Sequence, residues 1–169
     1  MTITAGMVKE LREKTGVGML ECKKALEENQ GDLEKSILWL RERGLSRAAK
    51  KADRVASEGI VKVLVSADNR SGAVVELNSE TDFVSKNAEF QKFADDVVQL
   101  VLANKVTDVE KLKNLKIGND TVDSVLTALI AKIGENMRLR RVGFLSTAKG
   151  TVAGYTHMGG KIGALVLLE

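Results

Sequence analysis

Proline is absent from this 169-residue chain. Average usage would supply roughly eight, so nothing in the sequence forces a break inside a helix and the helical segments can run uninterrupted. A single cysteine excludes an intramolecular disulfide, and one cysteine with one histidine forms no recognisable zinc site. Aromatic residues are only 4% of the chain, which leaves little from which to build base-stacking platforms and disfavours nucleic acid as a partner. Long apolar runs are missing too: none approaches the length needed to cross a bilayer, and the first fourteen residues lack the apolar stretch of an export signal. A soluble, unexported protein in a reducing, cytoplasmic setting is expected, with no membrane role.

What is present is ordinary for a globular chain. Hydrophobic residues make up 44% and charged residues 29%, and the length suffices for one domain or two small ones around a real core. The net charge of +3 arises from 26 basic against 23 acidic residues, so the overall balance decides little. Its distribution says more. Arg41, Arg43, Arg47, Lys50, Lys51 and Arg54 crowd one segment, which reads either as a solvated face or as a field that steers a partner or RNA.

Periodicity predicts an α+β chain that opens with three short helices over residues 4 to 44. Thr4 caps the first helix, which carries Met7, Val8 and Leu11, and Thr15-Gly16-Val17-Gly18 ends it. The second carries Met19, Leu20, Cys22, Ala25 and Leu26. The third starts at Asp32, carries Leu33, Ile37, Leu38 and Leu40, and is expected to close at Gly44. Trp39 is expected to be the main core contribution of this small bundle rather than an exposed anchor.

A basic, Ala-rich helical linker is expected from 46 to 56. The period then changes to that of strands: residues 59 to 65, a turn over 68 to 72, and a second strand over 73 to 77 form a hairpin. Helical spacing returns from Phe90 to Leu102 and from Val122 to Ile133, with a short piece through Leu112 and Leu115 between them. Strand patterns over 138–146, 151–157 and 161–168 finish the chain and weakly echo the earlier hairpin. The expected domains are therefore 1–45, the linker 46–56, a first core subdomain 57–136, and 137–169 as the start of a second, truncated sheet subdomain. An uncovered sheet face and edge there would be compatible with a homo-oligomer.

Catalytic templates fail in turn. The stretch from Gly154 to Ile162 resembles a phosphate loop only faintly, with an extra glycine before Lys161 and Ile162 where a magnesium-binding hydroxyl would stand. No Gly-x-Ser-x-Gly elbow or dinucleotide fingerprint is present. Cys22 reads as helix-face packing rather than a nucleophile. His157, in a Gly-rich turn, reads as a surface contact or as nothing special. No catalytic residue, cofactor or metal is expected, which leaves a binding protein.

The most informative residues are Thr81-Asp82-Phe83-Val84, which lie between the apolar alternation of Ala73 to Leu77 and the helix that starts near Asn87. Two readings are open from local pattern. Phe83 could fold back as a staple onto Phe90 or Phe93 while Asp82 or Asn87 caps the helix start. Alternatively, the corner offers a carboxylate and a ring to a partner.

Several ordered runs resemble bacterial elongation factor Ts, the family of guanine nucleotide exchange factors for elongation factor Tu. They are Val8 to Gly16 with Cys22-Lys23-Lys24-Ala25-Leu26, Lys50-Lys51-Ala52 and Arg54-Val55-Ala56 with Gly59, Thr81 to Val84, Phe90 to Ala94, Ile133-Gly134-Glu135-Asn136, and Lys161-Ile162-Gly163. The resemblance implies a ubiquitin-associated-like three-helix bundle, a linker and a core of antiparallel sheets with helices. Set against the long form of the family, the resemblance implies an end within the second subdomain's sheet, so that subdomain's helices, the coiled-coil insertion and the C-terminal helical module are not expected among these residues.

Elongation factor Tu is the partner this resemblance implies, with no direct nucleotide binding and no covalent chemistry. The turn Thr15, Gly16, Val17, Gly18 and Met19 would dock on the partner's GTPase domain, and His157 would touch another of its domains. Thr81, Asp82, Phe83 and Val84 would press beside the nucleotide site and dislodge its magnesium, which settles the reading of the corner in favour of contact. Two rival readings remain: an RNA-binding protein using Arg41 to Arg54, and a ubiquitin-associated-like interaction module acting through residues 4 to 44 alone.

Overall fold

The computed structural model describes residues 2–169; Met1, the first residue of the expected 1–45 domain, lies outside them. The chain divides into two compact units. One comprises the residues up to Ala52 together with Thr127–Gly134, and the other comprises Asp53–Leu126 and Glu135–Glu169.

The first unit begins with three helices, α1 (Ala5–Thr15), α2 (Met19–Glu28) and α3 (Leu33–Ala49). Their ends follow the side chains available. The Thr4 hydroxyl accepts from the Met7 amide and the Asp32 carboxylate from the Lys35 amide, each satisfying a helix-start donor. Gly16, at φ 66°, takes the left-handed conformation that closes α1, where a residue with a Cβ would be strained.

Val8, Leu11, Cys22, Ala25, Leu26 and Leu40 form the core of this unit. Trp39 sits at its margin, partly buried, with the Arg43 guanidinium 4.5 Å above its ring. It is therefore not the main core residue that the sequence suggested. Leu20 and Leu38 are also off the core, because the buried faces are set by Cys22, Ala25 and Leu26 on α2 and by Ser36, Leu40 and Gly44 on α3.

The third helix does not stop at Gly44 either. Gly44 is buried, and a Cβ there would meet that of Ala131 at 3.4 Å, so its smallness serves packing within the helix rather than a C-cap. Only Ser46 to Ala49 of the expected helical linker are helical, as the last turn of α3, and Lys50 to Asp53 form turns.

The second unit is built on the strands β1 (Glu58–Val65), β2 (Ser71–Ser79) and β5 (Met137–Ser146), an antiparallel sheet in the order β1-β2-β5. The first two are joined by a turn in which Asp68 accepts from the Ser66 hydroxyl and the Arg70 amide. Strand β5, expected from the sequence to start a second sheet, instead pairs with β2 from Ser71↔Ser146 to Ser79↔Met137. Met137 and Leu139 are buried, and their apolar face continues the buried side of the first hairpin.

Helix α5 (Ala88–Asn104) covers that side with Phe90, Phe93, Ala94, Val97, Val98 and Val101, residues recurring at helical spacing. They face Ile60, Ala73, Val75 and Leu77, all buried, and Lys62 on the same strand face reaches Asp95 at 2.7 Å. The one-turn helix α4 (Asp82–Ser85) precedes α5. After it come α6 (Val109–Lys113), the small hairpin β3 (Lys116–Ile117) and β4 (Asp120–Thr121), and α7 (Val122–Ile133), whose residues from Thr127 belong to the first unit.

A separate hairpin, β6 (Thr151–His157) and β7 (Ile162–Leu168), lies on the sheet's other face. Glycine makes the approach close. A Cβ on Gly154 would stand 2.6 Å from a Val63 methyl and 3.0 Å from one of Val65, and one on Gly72 would stand 2.8 Å from Leu165 and Val152. The two sheets are in contact where these side chains are absent. Gly154→Ala is therefore expected to overpack this interface and cost about 1–3 kcal/mol, read as a lower urea midpoint with an unchanged slope; an unaltered midpoint would mean the hairpin can lift away at no cost.

Candidate partner-binding site

Beyond the last pair of the β2–β5 ladder, Ser79↔Met137, the chain turns into the Thr81-Asp82-Phe83-Val84 corner. Side chains hold its backbone. The Ser79 hydroxyl donates to the Thr81 carbonyl at 2.9 Å, the Ser85 hydroxyl to the Asp82 carbonyl at 2.7 Å, and the Gln91 amide to the Ser85 carbonyl at 2.5 Å. Thr81 occupies the N-cap position of α4, yet its hydroxyl makes no cap; it donates instead to Glu135 at 2.8 Å.

Val84 is buried, whereas the Phe83 ring is 80% exposed. The staple reading therefore fails, because Phe90 and Phe93 are enclosed under the sheet while Phe83 points into water. Asn87 does cap α5, accepting from the Glu89 and Phe90 amides. An extended, exposed phenylalanine on a corner whose carbonyls are tied down is a costly feature to leave uncovered.

Asp82 carries the charge of the corner. Lys86 Nζ donates to its carboxylate at 2.8 Å, and this bond, followed by the Lys86 charge and then the more distant Lys161 charge, holds its pKa below the usual carboxylate value. The carboxylate is anionic at neutral pH.

The remaining sequence-derived candidates fall in two places. Thr15, Gly16, Val17, Gly18 and Met19 lie together in the first unit, from the last residue of α1 to the first of α2. The Thr15 hydroxyl donates to the Leu11 carbonyl at 2.7 Å, and Met19 is exposed. Beside them Leu20, one of the apolar residues that the second helix carries, is 84% exposed. Its position two residues before Cys22, about 200° around the helix, was the signal that it faces away.

His157 ends β6 in the second unit, stacked on Tyr155 at 6.0 Å between ring centroids, with Tyr155 Oη 3.0 Å from its Nδ1. Both are exposed.

The basic segment is largely engaged within the protein: Arg43 covers Trp39, Arg47 pairs with Glu21 at 2.8 Å, and Arg54 pairs with Glu80 at 3.6 Å. Such pairing reduces the free positive field that RNA binding would need. Among the described residues no cluster of three or more His, Cys, Asp or Glu side chains could hold a metal, and no helix is long and apolar enough to cross a membrane.

The family model described as Elongation factor TS matches residues 80–169, from the corner to the end of the last hairpin. The chain belongs to the elongation factor Ts family.

Similar relatives bear the same name. Elongation factor Ts of Clostridium perfringens (strain SM101 / Type A) is 56% identical over 167 residues, 98% of this chain and 55% of the relative. That of Clostridium botulinum (strain Eklund 17B / Type B) is 52% identical over 165 residues, 97% of this chain and 54% of the relative. That of Clostridium kluyveri (strain NBRC 12016) is 51% identical over 170 residues, 99% of this chain and 56% of the relative. The chain thus spans about half the length of the curated relatives it matches.

The Asp82–Lys86 pair is testable without any partner. Lys86→Met should raise the Asp82 titration midpoint toward the ordinary carboxylate range, followed by NMR of the side-chain carboxyl carbon. Because the folded value lies below the unfolded one, whatever stability the pair contributes is present above the unfolded value and lost as pH falls through the folded one. Exposure keeps that contribution small. A midpoint that stays put in Lys86→Met would mean that Lys86 does not hold the carboxylate.

Proposed function

We propose that this chain binds elongation factor Tu and accelerates GDP release from it, acting as a guanine nucleotide exchange factor without covalent chemistry. The observation that carries this reading is the exposed Phe83 ring beside the anionic Asp82, on a corner whose backbone is held by surrounding side chains. A side chain presented in this way loses little further freedom on insertion into an apolar gap, so more of its burial energy is available to shift the partner.

Magnesium gives such a wedge its leverage. The ion requires near-ideal octahedral geometry and bridges the nucleotide phosphates to the protein, so a small displacement of its surroundings removes much of the nucleotide's affinity. In this reading Phe83 enters the gap, Asp82 with Thr81 disturbs the groups around the ion, the buried Val84 anchors the corner from within rather than touching the partner, and GDP leaves. Reciprocity then requires nucleotide to weaken the factor's own binding by the same ratio.

The helical unit, read as a ubiquitin-associated-like bundle, would dock through Thr15 to Met19, with the exposed Leu20 extending that apolar surface. His157 and Tyr155 would form a further contact. These attachments hold the factor in place while the corner acts, which is how binding energy gathered at one place is used at another. Family membership and the identity to proteins named elongation factor Ts support the assignment.

The test is the release rate of a fluorescent GDP analogue from elongation factor Tu with the chain present, at two magnesium concentrations. Acceleration that weakens as magnesium is raised is expected, and Phe83→Ala should fold normally while losing most of it. A folded Phe83→Ala chain that releases GDP at the parent rate would remove the wedge from the mechanism.

A further inference from the structure

The register of the β2–β5 ladder continues past its last main-chain pair and sets Glu80 opposite Asn136 and Thr81 opposite Glu135. There the pairing passes from carbonyls to carboxylates. Glu135 accepts from the Thr81 amide at 3.0 Å with one oxygen and from the Thr81 hydroxyl at 2.8 Å with the other. In return, Glu80 accepts from the Asn136 amide at 2.5 Å, and the buried Asn136 side chain donates to the Arg54 carbonyl at 2.7 Å. Gly134, at φ 90° and bonded through its amide to the Ile130 carbonyl, closes α7 and turns the chain so that Glu135 enters this clasp.

A helix of one turn cannot hold itself, since nucleating it fixes several residues for a single hydrogen bond. The direction in which Phe83 leaves α4 is therefore set from outside: the buried Val84 and the Gln91 bond to the Ser85 carbonyl hold the far end of the helix, and its near end is set by whatever fixes the residue just before it. That residue is Thr81, and Glu135 grips it at two atoms with charge-assisted hydrogen bonds, the stronger kind.

We propose that Glu135 is a positioning residue for nucleotide exchange: its two-point grip on Thr81 keeps the Phe83 corner in the extended form that the partner meets. This rests on the exchange reading above. Without the grip the corner samples other directions, and its ordering must be supplied during insertion, which lowers the rate of release more than the affinity of docking.

Glutamine is the informative conservative variant. Its amide carbonyl can accept from the Thr81 amide while its NH2 donates to the Thr81 hydroxyl oxygen, so the grip survives loss of the charge. Alanine removes both contacts.

The experiment uses the whole chain with GDP-loaded elongation factor Tu, varying factor concentration, alongside amide hydrogen exchange on the factor alone. Glu135→Ala is expected to lower the maximal release rate about tenfold, with the half-saturating concentration moving less than about twofold and the Thr81 amide losing protection while that of Val97 keeps it. Glu135→Gln should retain both the rate and the protection. An alanine variant that keeps the full rate or the Thr81 protection overturns the proposal, as does an equal loss of rate in the glutamine variant.

If Glu135→Ala does not fold, Glu135→Asp, whose carboxylate is set back from Thr81 by one methylene, should lose part of the rate and of the Thr81 protection, whereas Glu135→Gln should lose neither; an aspartate variant with full rate and full protection also overturns the proposal. A parent chain that leaves GDP release unchanged refutes the exchange reading and, with it, a role in exchange for Glu135, while the Thr81 amide still reports whether Glu135 holds the corner.

Discussion

The second unit depends on β2 being a central strand. It pairs with β1 on one side and β5 on the other, receives α5 against one face and lies under the β6–β7 hairpin on the other. Its two faces differ accordingly. Ala73, Val75 and Leu77 are apolar and buried toward α5, while Gly72 keeps side-chain bulk off the opposite face. The pairing with β5 joins segments about sixty residues apart, a long loop to close, and the burial of Met137 and Leu139 helps to offset that closure. Because β2 ends at the corner, the strand that centres the fold also sets where Phe83 emerges.

Local elements were largely legible in the sequence, because they follow from period and end chemistry. The caps at Thr4, Asp32 and Asn87, the left-handed Gly16 and the spans of β1, β2, β6 and β7 are each a matter of a few neighbouring residues. Long-range pairing was not legible. Nothing within residues 138–146 distinguishes a third strand of the first sheet from the start of another, since only the identity of its partner does so. Gly44 misled for a related reason. A glycine after a helical run signals an end only when no neighbour requires its smallness, and Ala131 does, from far along the chain.

The corner shows the same limit from the functional side. Thr81 to Val84 attract notice as a motif, and a threonine before a short helix reads as an ordinary N-cap. That its hydroxyl turns instead to a carboxylate fifty-four positions away depends on the register of β2 against β5. Leu20 is apolar and lies in the helix that carries the core, yet its angle relative to Cys22, Ala25 and Leu26 turns it to solvent.

Cys22 is the only cysteine in the chain, and it is completely enclosed in the helical unit, its Sγ 3.5 Å from the Val17 carbonyl and 3.9 Å from the Thr15 hydroxyl. Burial raises its pKa, so the thiolate is suppressed as well as shielded. A thiol reagent can therefore reach it only when that unit opens, and the rate of modification becomes a gauge of one unit's opening that is blind to the other. The position beside the Thr15–Met19 turn adds a second use: an occupant that stiffened this turn would slow the modification, turning a single buried sulfur into a reporter of occupancy that needs no introduced residue.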